Sequence, residues 1–273
     1  MTGATGNVGR QVVNQLLDVG EKVRAISRDP ARAGLPAAVE LLRADLREPG
    51  TLPAALRGVD RAYLFPVHGR LDAFLAAARA ARLHRVVLLS SLAVTADPAG
   101  PIGQAHAVAE RAVDGSGISW TFLRPGAFNT NDLAWAPTVR AEGVVRAPYG
   151  DAATAPIDER DIAAVAVRAL LDDGHEGKAY ELSGPESLTT VDRVRLLGAA
   201  LGTHLRFEEQ TPQEARSAMA GYGAPPAIAD AVLALMASAV GTTAPVLPAV
   251  EQVTGRPAHP YARWAEHHAA DFR

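Results

Sequence analysis

The sequence predicts an α/β protein: a parallel sheet with helices on both faces, followed by a smaller, mostly helical C-terminal part. Three observations predict it. Runs rich in Val, Ile and Leu alternate with helical stretches along the first half of the chain. The runs are nearly continuous in apolar residues, as strands buried on both faces are. A glycine-spaced loop, Thr2-Gly3-Ala4-Thr5-Gly6-Asn7-Val8-Gly9, stands directly before the first helical stretch.

The elements follow in order. Residues 8–19 read as a helix and 22–27 (KVRAIS) as a strand. A strand at 39–43 (VELLR) precedes a helix at 51–57, and a strand at 61–65 (RAYLF) precedes a helix at 71–81. Residues 85–89 (RVVLL) and 118–123 (ISWTFL) read as strands on either side of a helix at 104–113. After Pro125 a loop rich in Asn and Trp runs to about Ala136. Residues 158–171 form a helix, and 178–182 (KAYEL) a late strand expected to return to the main sheet. From Glu186 onward the pattern is mostly helices and loops. The reading is a Rossmann-type core over 1–125, with 155–183 returning to it, and a cap over 126–154 and 184–273. One feature does not fit. Such a sheet places its first strand directly before the glycine loop, and only Met1 and Thr2 precede Gly3. Either the central strand is very short or the sequence starts several residues late. The late start is favoured, and a missing central strand is expected to weaken the fold.

Composition narrows the function. The chain has 273 residues, 48% of them hydrophobic and 21% charged, enough for one large domain or a domain with a small cap. A net charge of −3 gives no footprint for nucleic acid or an anionic membrane. The chain has no cysteine, which excludes disulfides, thiolate zinc sites and cysteine nucleophiles. No signal peptide precedes the first motif. The apolar window 227–250 contains Asp230, Gly241, two threonines and two prolines, which fits a buried helix and a loop better than a membrane span. A cytoplasmic monomer or homodimer is expected.

The glycine loop carries the chemistry. Gly3 suits a tight turn, Gly6 lets the backbone approach a pyrophosphate, and Gly9 lets the helix pack closely on the sheet. The helix amino end offers free N–H groups and a positive dipole end. Thr5 and Asn7 add hydrogen bonds. The next strand selects the nucleotide. NAD binders usually end it with an acid for the ribose 2′-OH, whereas this one ends Ser27-Arg28-Asp29-Pro30. Ser27 and Arg28 suit a 2′-phosphate, and Asp29 before Pro30 reads as a helix cap. NADP(H) is therefore preferred, with NAD(H) still possible. Asp45 reads equally as an adenine-edge residue or a turn cap.

TGATGNVGR at 2–10, SRDP at 27–30, ADLRE at 44–48, VVLLSS at 86–91, WTFLRPGAFNTN at 120–131 and IDERDIA at 157–163 resemble the NmrA-like family of atypical short-chain dehydrogenases, which includes the type 2 quinone oxidoreductases. The resemblance extends through YELSGPESLT at 180–189 to the terminal WAEHHAADFR. It implies an NADP(H) site built from Gly3, Thr5, Gly6, Asn7 and Val8, with Arg28 at the 2′-phosphate. It puts Phe65 and Pro66 by the cofactor ribose, Ser90 where relatives bind a substrate carbonyl, and Pro125 to Phe128 beside the nicotinamide.

Many short-chain reductases protonate their product through a Tyr-x-x-x-Lys pair. The chain has only Lys22 and Lys178, with Asp18 and Gly174 four residues upstream, so that pair is absent from the sequence. By resemblance Ile102 takes the tyrosine position and His106 the lysine position. Ile102 cannot transfer a proton. His106 either binds the nicotinamide ribose or protonates a product, or merely fills the lysine's space. A simple ketone would yield a strongly basic alkoxide, which needs an acid. A quinone or conjugated carbonyl spreads the new charge, so water can protonate it, and positioning does the rest.

The remaining constellations read as structure. Asp158, Glu159 and Asp161 sit at a helix amino end, where acids cap. Glu110 reads as a solvent or helix-pairing residue. The histidines lack metal spacing, and no G-x-S-x-G is present. Asn129 and Asn131 are substrate candidates, as is Trp135; with Phe128, Tyr149 and Trp264, Trp135 either lines a cleft or fills a core. The expected function is hydride transfer from NADP(H) to a quinone or conjugated carbonyl. The alternatives are a non-catalytic NADP(H) redox sensor and a tailoring reductase or isomerase of secondary metabolism.

Overall fold

A computed structural model describes residues 1–66, 71–96 and 100–273. After the glycine loop come α1 (Asn7–Asp18), β1 (Arg24–Ser27), β2 (Glu40–Arg43), α2 (Leu52–Leu56), β3 (Arg61–Leu64), α3 (Asp72–Ala80), β4 (Arg85–Leu89), α4 (Pro101–Asp114) and β5 (Ser119–Pro125). Strands β3, β4, β5 and the late β8 (Lys178–Leu182) form a four-stranded sheet in that order, and β1 pairs with β2. All these pairings are parallel. The predicted return of 178–182 is thus borne out: Leu123 faces Tyr180 across β5 and β8.

The central strand is reduced to two residues. Ile26 N–H donates to Met1 O at 3.0 Å and Thr2 N–H donates to Tyr63 O at 3.1 Å, so Met1 and Thr2 bridge β1 and β3. The Thr2 hydroxyl accepts from Phe65 N–H at 2.7 Å. A small cavity of about 20 Å³ lies beneath the bridge, between Ile26, Leu56 and Phe74.

Both faces of the sheet are covered because the strands are apolar on both. Val87, Leu89 and Leu123 pack with α1 and with α6 (Glu159–Leu171) in one buried cluster. Val86, Leu88 and Phe122 pack with Leu75, Val113 and their neighbours in another. Pro101 starts α4 three residues before the predicted start, as its fixed φ and missing N–H suit a first helical position.

The rest of the chain contains more strand than the sequence suggests. Its elements are α5 (Ala136–Glu142), β6 (Val144–Ala147), β7 (Ala153–Thr154), β9 (Leu188–Thr189), α7 (Thr190–Leu201), β10 (Arg206–Glu209), α8 (Pro212–Gly221), α9 (Pro226–Ser238), α10 (Ala249–Thr254) and α11 (Tyr261–His267). β6 and β10 form a parallel pair, and β7 and β9 an antiparallel one. The expectation of mostly helices and loops from Glu186 onward does not name β9 and β10, because runs of four residues or fewer carry little periodicity. A third cluster, with Val145, Leu197, Trp264 and Phe272, holds this part together. The window 227–250 is corrected too: α9 buries Ala229 and Leu233, while Leu235 stays 66% exposed. Among the described residues no helix is long and apolar enough to cross a membrane.

Candidate functional site

The carboxyl edge of the sheet opens on a cleft of about 750 Å³, where ligands of open α/β sheets bind. Residues 3–9 form its floor and lead into α1. No side chain caps α1, so its first-turn amides are left for a ligand and its positive dipole end faces the cleft. Two glycines are demanded by the loop itself. Gly3 sits at φ +62°, and a Cβ there would stand 2.6 Å from Phe65 Cβ. A Cβ on Gly9 would stand 2.0 Å from Gly3 O. Gly6 is different, since a Cβ there meets only Gly3 O, at 3.4 Å. Internal packing does not require a glycine at that position, which lines the cleft.

Arg10 fastens the loop. Its guanidinium donates to Thr5 O at 3.2 Å, Gly34 O at 2.7 Å and Ala33 O at 2.9 Å, tying the glycine loop to the turn after β1. Ser27, Arg28 and Asp45 line the cleft as the sequence suggests, joined by Arg32 and Arg47, which the sequence reading missed. Asp29 needs correction. It holds the cap position before Pro30 but makes no side-chain cap bond. Its N–H donates to the Ser27 hydroxyl at 3.1 Å, and it lines the cleft itself. Asp45 lines the cleft, and its carboxylate accepts from Arg47 N–H at 2.9 Å, the bond of a turn cap.

Of the sequence candidates, Gly3, Thr5, Gly6, Asn7, Val8, Ser27, Arg28, Asp45, Phe65 and Phe128 line this one cleft. Pro66, Ser90 and Pro125 are buried at the strand ends and do not line it, and His106 sits half-buried on α4. Asn131 is exposed on the surface. Asn129 is fully buried, and neither its amide nitrogen nor its oxygen has a partner among the described residues. The Arg193 guanidinium lies over the half-buried Trp135, 5.2 Å from the ring centroid. Trp264 is fully buried.

Beside the cleft lies a side-chain network the sequence did not reveal. Glu110, read as a solvent or helix-pairing residue, is buried and pairs across to β5. The Ser90 hydroxyl donates to Glu110 Oε1 at 2.5 Å. Arg124 Nε donates to the same oxygen at 2.9 Å and Nη2 to Oε2 at 2.7 Å. This bond to Glu110 draws the Arg124 guanidinium pKa up. The signal lay in spacing: Ile102, His106 and Glu110 recur every four residues, so they share one face of α4.

The three acids after Ile157 are buried and do more than cap. Asp158 accepts from Arg160 N–H at 2.8 Å. Asp161 accepts from Arg256 Nη1 at 2.8 Å, from His259 N–H at 2.6 Å and from His259 Nδ1 at 2.7 Å. Glu159 accepts from His268 Nε2 at 2.9 Å, and this partner raises the His268 pKa. Further out, Asp132 pairs with Arg193 at 2.5 Å and accepts from the Tyr261 hydroxyl at 2.7 Å. Burial pushes the Asp132 carboxyl up, while the guanidinium and phenol draw it down. Among the described residues no group of acids or histidines could hold a metal.

A helix dipole, bare loop amides and a long cleft at the edge of a parallel sheet define a dinucleotide-binding α/β protein. Comparison with known proteins makes that specific. The chain belongs to the NAD(P)H-binding family whose model matches residues 3–173. It is 44% identical over 279 residues to a (4-alkanoyl-5-oxo-2,5-dihydrofuran-3-yl)methyl phosphate reductase of Streptomyces griseus subsp. griseus, covering 100% of this chain and 98% of that one. It is 39% identical over 280 residues to an NAD(P)H azoreductase of Xenophilus azovorans, covering 100% and 98%. The fold matches an NADPH-dependent quinone oxidoreductase of Escherichia coli solved with NADPH, at TM-score 0.80 and 29% identity over 97% of this chain and 98% of that one. The resemblance to the NmrA-like group with its type 2 quinone oxidoreductases is borne out.

Proposed function

We propose that the chain is an NADPH-dependent reductase of conjugated acceptors, quinones and unsaturated carbonyls among them. One observation carries this reading: a long cleft stands over the glycine loop, in a chain whose helix α4 carries Ile102 and His106 at the positions that the resemblance gives to a tyrosine and a lysine. Bound NADPH supplies a hydride, two electrons with their proton. The chain's part is to hold the cofactor by the loop amides and α1, and to stack the acceptor against it near Phe65 and Phe128. An acceptor whose new anion is delocalised takes its proton from water, so no tyrosine is needed. The relatives' names agree. A 5-oxo-2,5-dihydrofuran with a 4-alkanoyl group is a carbon–carbon double bond conjugated with carbonyls, and azo groups and quinones are likewise unsaturated acceptors. The first of these also supports a tailoring reductase.

NADPH is preferred over NADH because Arg28, Arg32 and Arg47 outnumber Asp29 and Asp45 at the β1 end of the cleft. A guanidinium there pairs with a 2′-phosphate. We assign residues 126–154 and 184–273 to a cap on the acceptor side, with α9 resting on α4. The cytoplasm, with its NADPH pool, is the fitting location.

Titration with NADPH and NADH, followed by a quinone and then an unsaturated lactone in the same cuvette, tests the reading. Tighter NADPH binding with oxidation on acceptor addition is expected. Arg28→Ala should weaken NADPH about ten-fold and leave NADH unchanged. Bound NADPH that no conjugated acceptor oxidises would overturn the assignment.

A further inference from the structure

We propose that Arg10 is a positioning residue for coenzyme choice: it holds the turn that carries Arg28 and Arg32 in a fixed place against the glycine loop, so that one NADPH meets both. The proposal rests on the NADPH reading above.

Two parts of the cleft wall lie on separate stretches of chain. The glycine loop, with Thr5, forms one, and the turn after β1, with Arg28, Arg32 and Ala33, forms the other. The turn is fixed at its start, where Ser27 pairs with Arg43 across β1 and β2. Past Ser27 its own bonds are short-range. Asp29 N–H donates to the Ser27 hydroxyl at 3.1 Å, Arg32 N–H to Asp29 O at 3.3 Å and Ala33 N–H to Pro30 O at 3.2 Å. Among the described residues, the hydrogen bonds that tie 28–38 to a distant part of the fold come from Arg10. Its Nη1 donates to Gly34 O at 2.7 Å and its Nη2 to Ala33 O at 2.9 Å. Its Nε donates to Thr5 O at 3.2 Å.

A guanidinium presents its donors in one rigid plane, so the three carbonyls bonded to it keep one relative placement. Arg10 is itself held, because its N–H donates to Gly6 O at 2.9 Å in the first turn of α1. The anchored carbonyls begin one residue after Arg32. Arg28 and Arg32 are exposed, and neither side chain has an ion pair or hydrogen bond among the described residues, so both are left to meet an anion in the cleft. NADPH carries two anionic parts, a pyrophosphate and a ribose 2′-phosphate, and NADH carries only the first. The placement of the turn against the loop therefore matters for the ligand that uses both.

The test is a titration with NADPH and with NADH of the unaltered chain, Arg10→Met, Arg10→Lys, Arg28→Ala and the double variant Arg10→Met with Arg28→Ala. Arg10→Met keeps the apolar stem and loses every donor. It is expected to weaken NADPH about five-fold and NADH by less than about two-fold. Arg10→Lys should do much the same, since one ammonium does not serve three carbonyls set around a plane. The double variant should fall short of the roughly fifty-fold loss that independent effects would multiply to. Trypsin should cut after Arg32 faster in Arg10→Met, and slow again with NADPH bound. Equal losses for the two cofactors in Arg10→Met would make Arg10 a residue of the glycine loop alone and overturn the proposal. Full NADPH preference in Arg10→Lys would assign the effect to charge, and an unchanged trypsin rate would leave the turn held without Arg10; either overturns it too. Should Arg10→Met not fold, the NADPH-to-NADH ratio of Arg10→Lys decides. An unaltered protein that binds NADPH no tighter than NADH would sink the NADPH reading and this proposal together, whereas a preference that survives both Arg10 variants would sink the proposal alone.

Discussion

The glycine loop and the side-chain charge networks of the molecule are built by different means. At the loop, backbone does the work. Gly3 at φ +62° and the tight Gly9–Gly3 approach shape the loop, and the first turn of α1 carries no side-chain cap. In the charge networks, side chains do it: Ser90, Glu110 and Arg124 on three separate elements, and Asp132, Arg193 and Tyr261 spread over 129 residues. The difference teaches that a site made of amides tolerates changes of side chain but not of shape, whereas a site made of charge pairs tolerates shape but not the loss of one partner.

Gly9→Ala puts the sharpest strain on that contrast. Its Cβ would stand 2.0 Å from a carbonyl oxygen, so a loss of about 4 kcal/mol or more of stability is expected in urea unfolding. Near-native stability would mean the loop yields, and the contrast would fail. Arg193→Met should come next, at about 3–5 kcal/mol, because it strands the buried Asp132 carboxylate; the melting temperature reads it. Gly6→Ala sharpens the comparison from the other side. It should leave the melting temperature within a degree or two and weaken NADPH about ten-fold or more, because its only cramped neighbour would be the cofactor. A fall in both would make Gly6 a folding residue.

The smallest effect is electrostatic. Glu159 raises the His268 pKa, so the charged pair stabilises the fold fully below the unfolded histidine value, about 6.5. That stability is lost as pH rises through the raised folded value. His268→Gln is therefore expected to cost about 1 kcal/mol near pH 6 and progressively less above it. A loss that is flat in pH would assign the whole contribution to packing on Trp264, whose ring centroid lies 4.7 Å away.

How much of this was legible in the sequence follows the same divide. The glycine spacing, the apolar strands and the Ser27-Arg28 turn are local patterns, and they located the cleft and its β1 end. The short β6 and β10 have too few residues for periodicity. Glu110 looked exposed because a glutamate in a helix usually is, and nothing near it in sequence names Arg124 as its partner. Arg47 lies two residues past Asp45, a spacing that says nothing until β2 places both at the cleft. Asp29 misled for the opposite reason: its local pattern is that of a cap, and the cap bond is not formed.

Helix α1 is held against α6, and Gln15 Nε2 donates to Arg160 O across 145 residues of sequence. The same buried cluster runs from Ala4 to Val250. A ribosome making this protein therefore exposes the first sheet face early and supplies its cover late. Until α6 emerges, Val12, Val13 and Leu16 have only the strands of the sheet to pack on, and closing so long a loop is slow. The span from β1 to β5 is where a chaperone would find its grip on the growing chain.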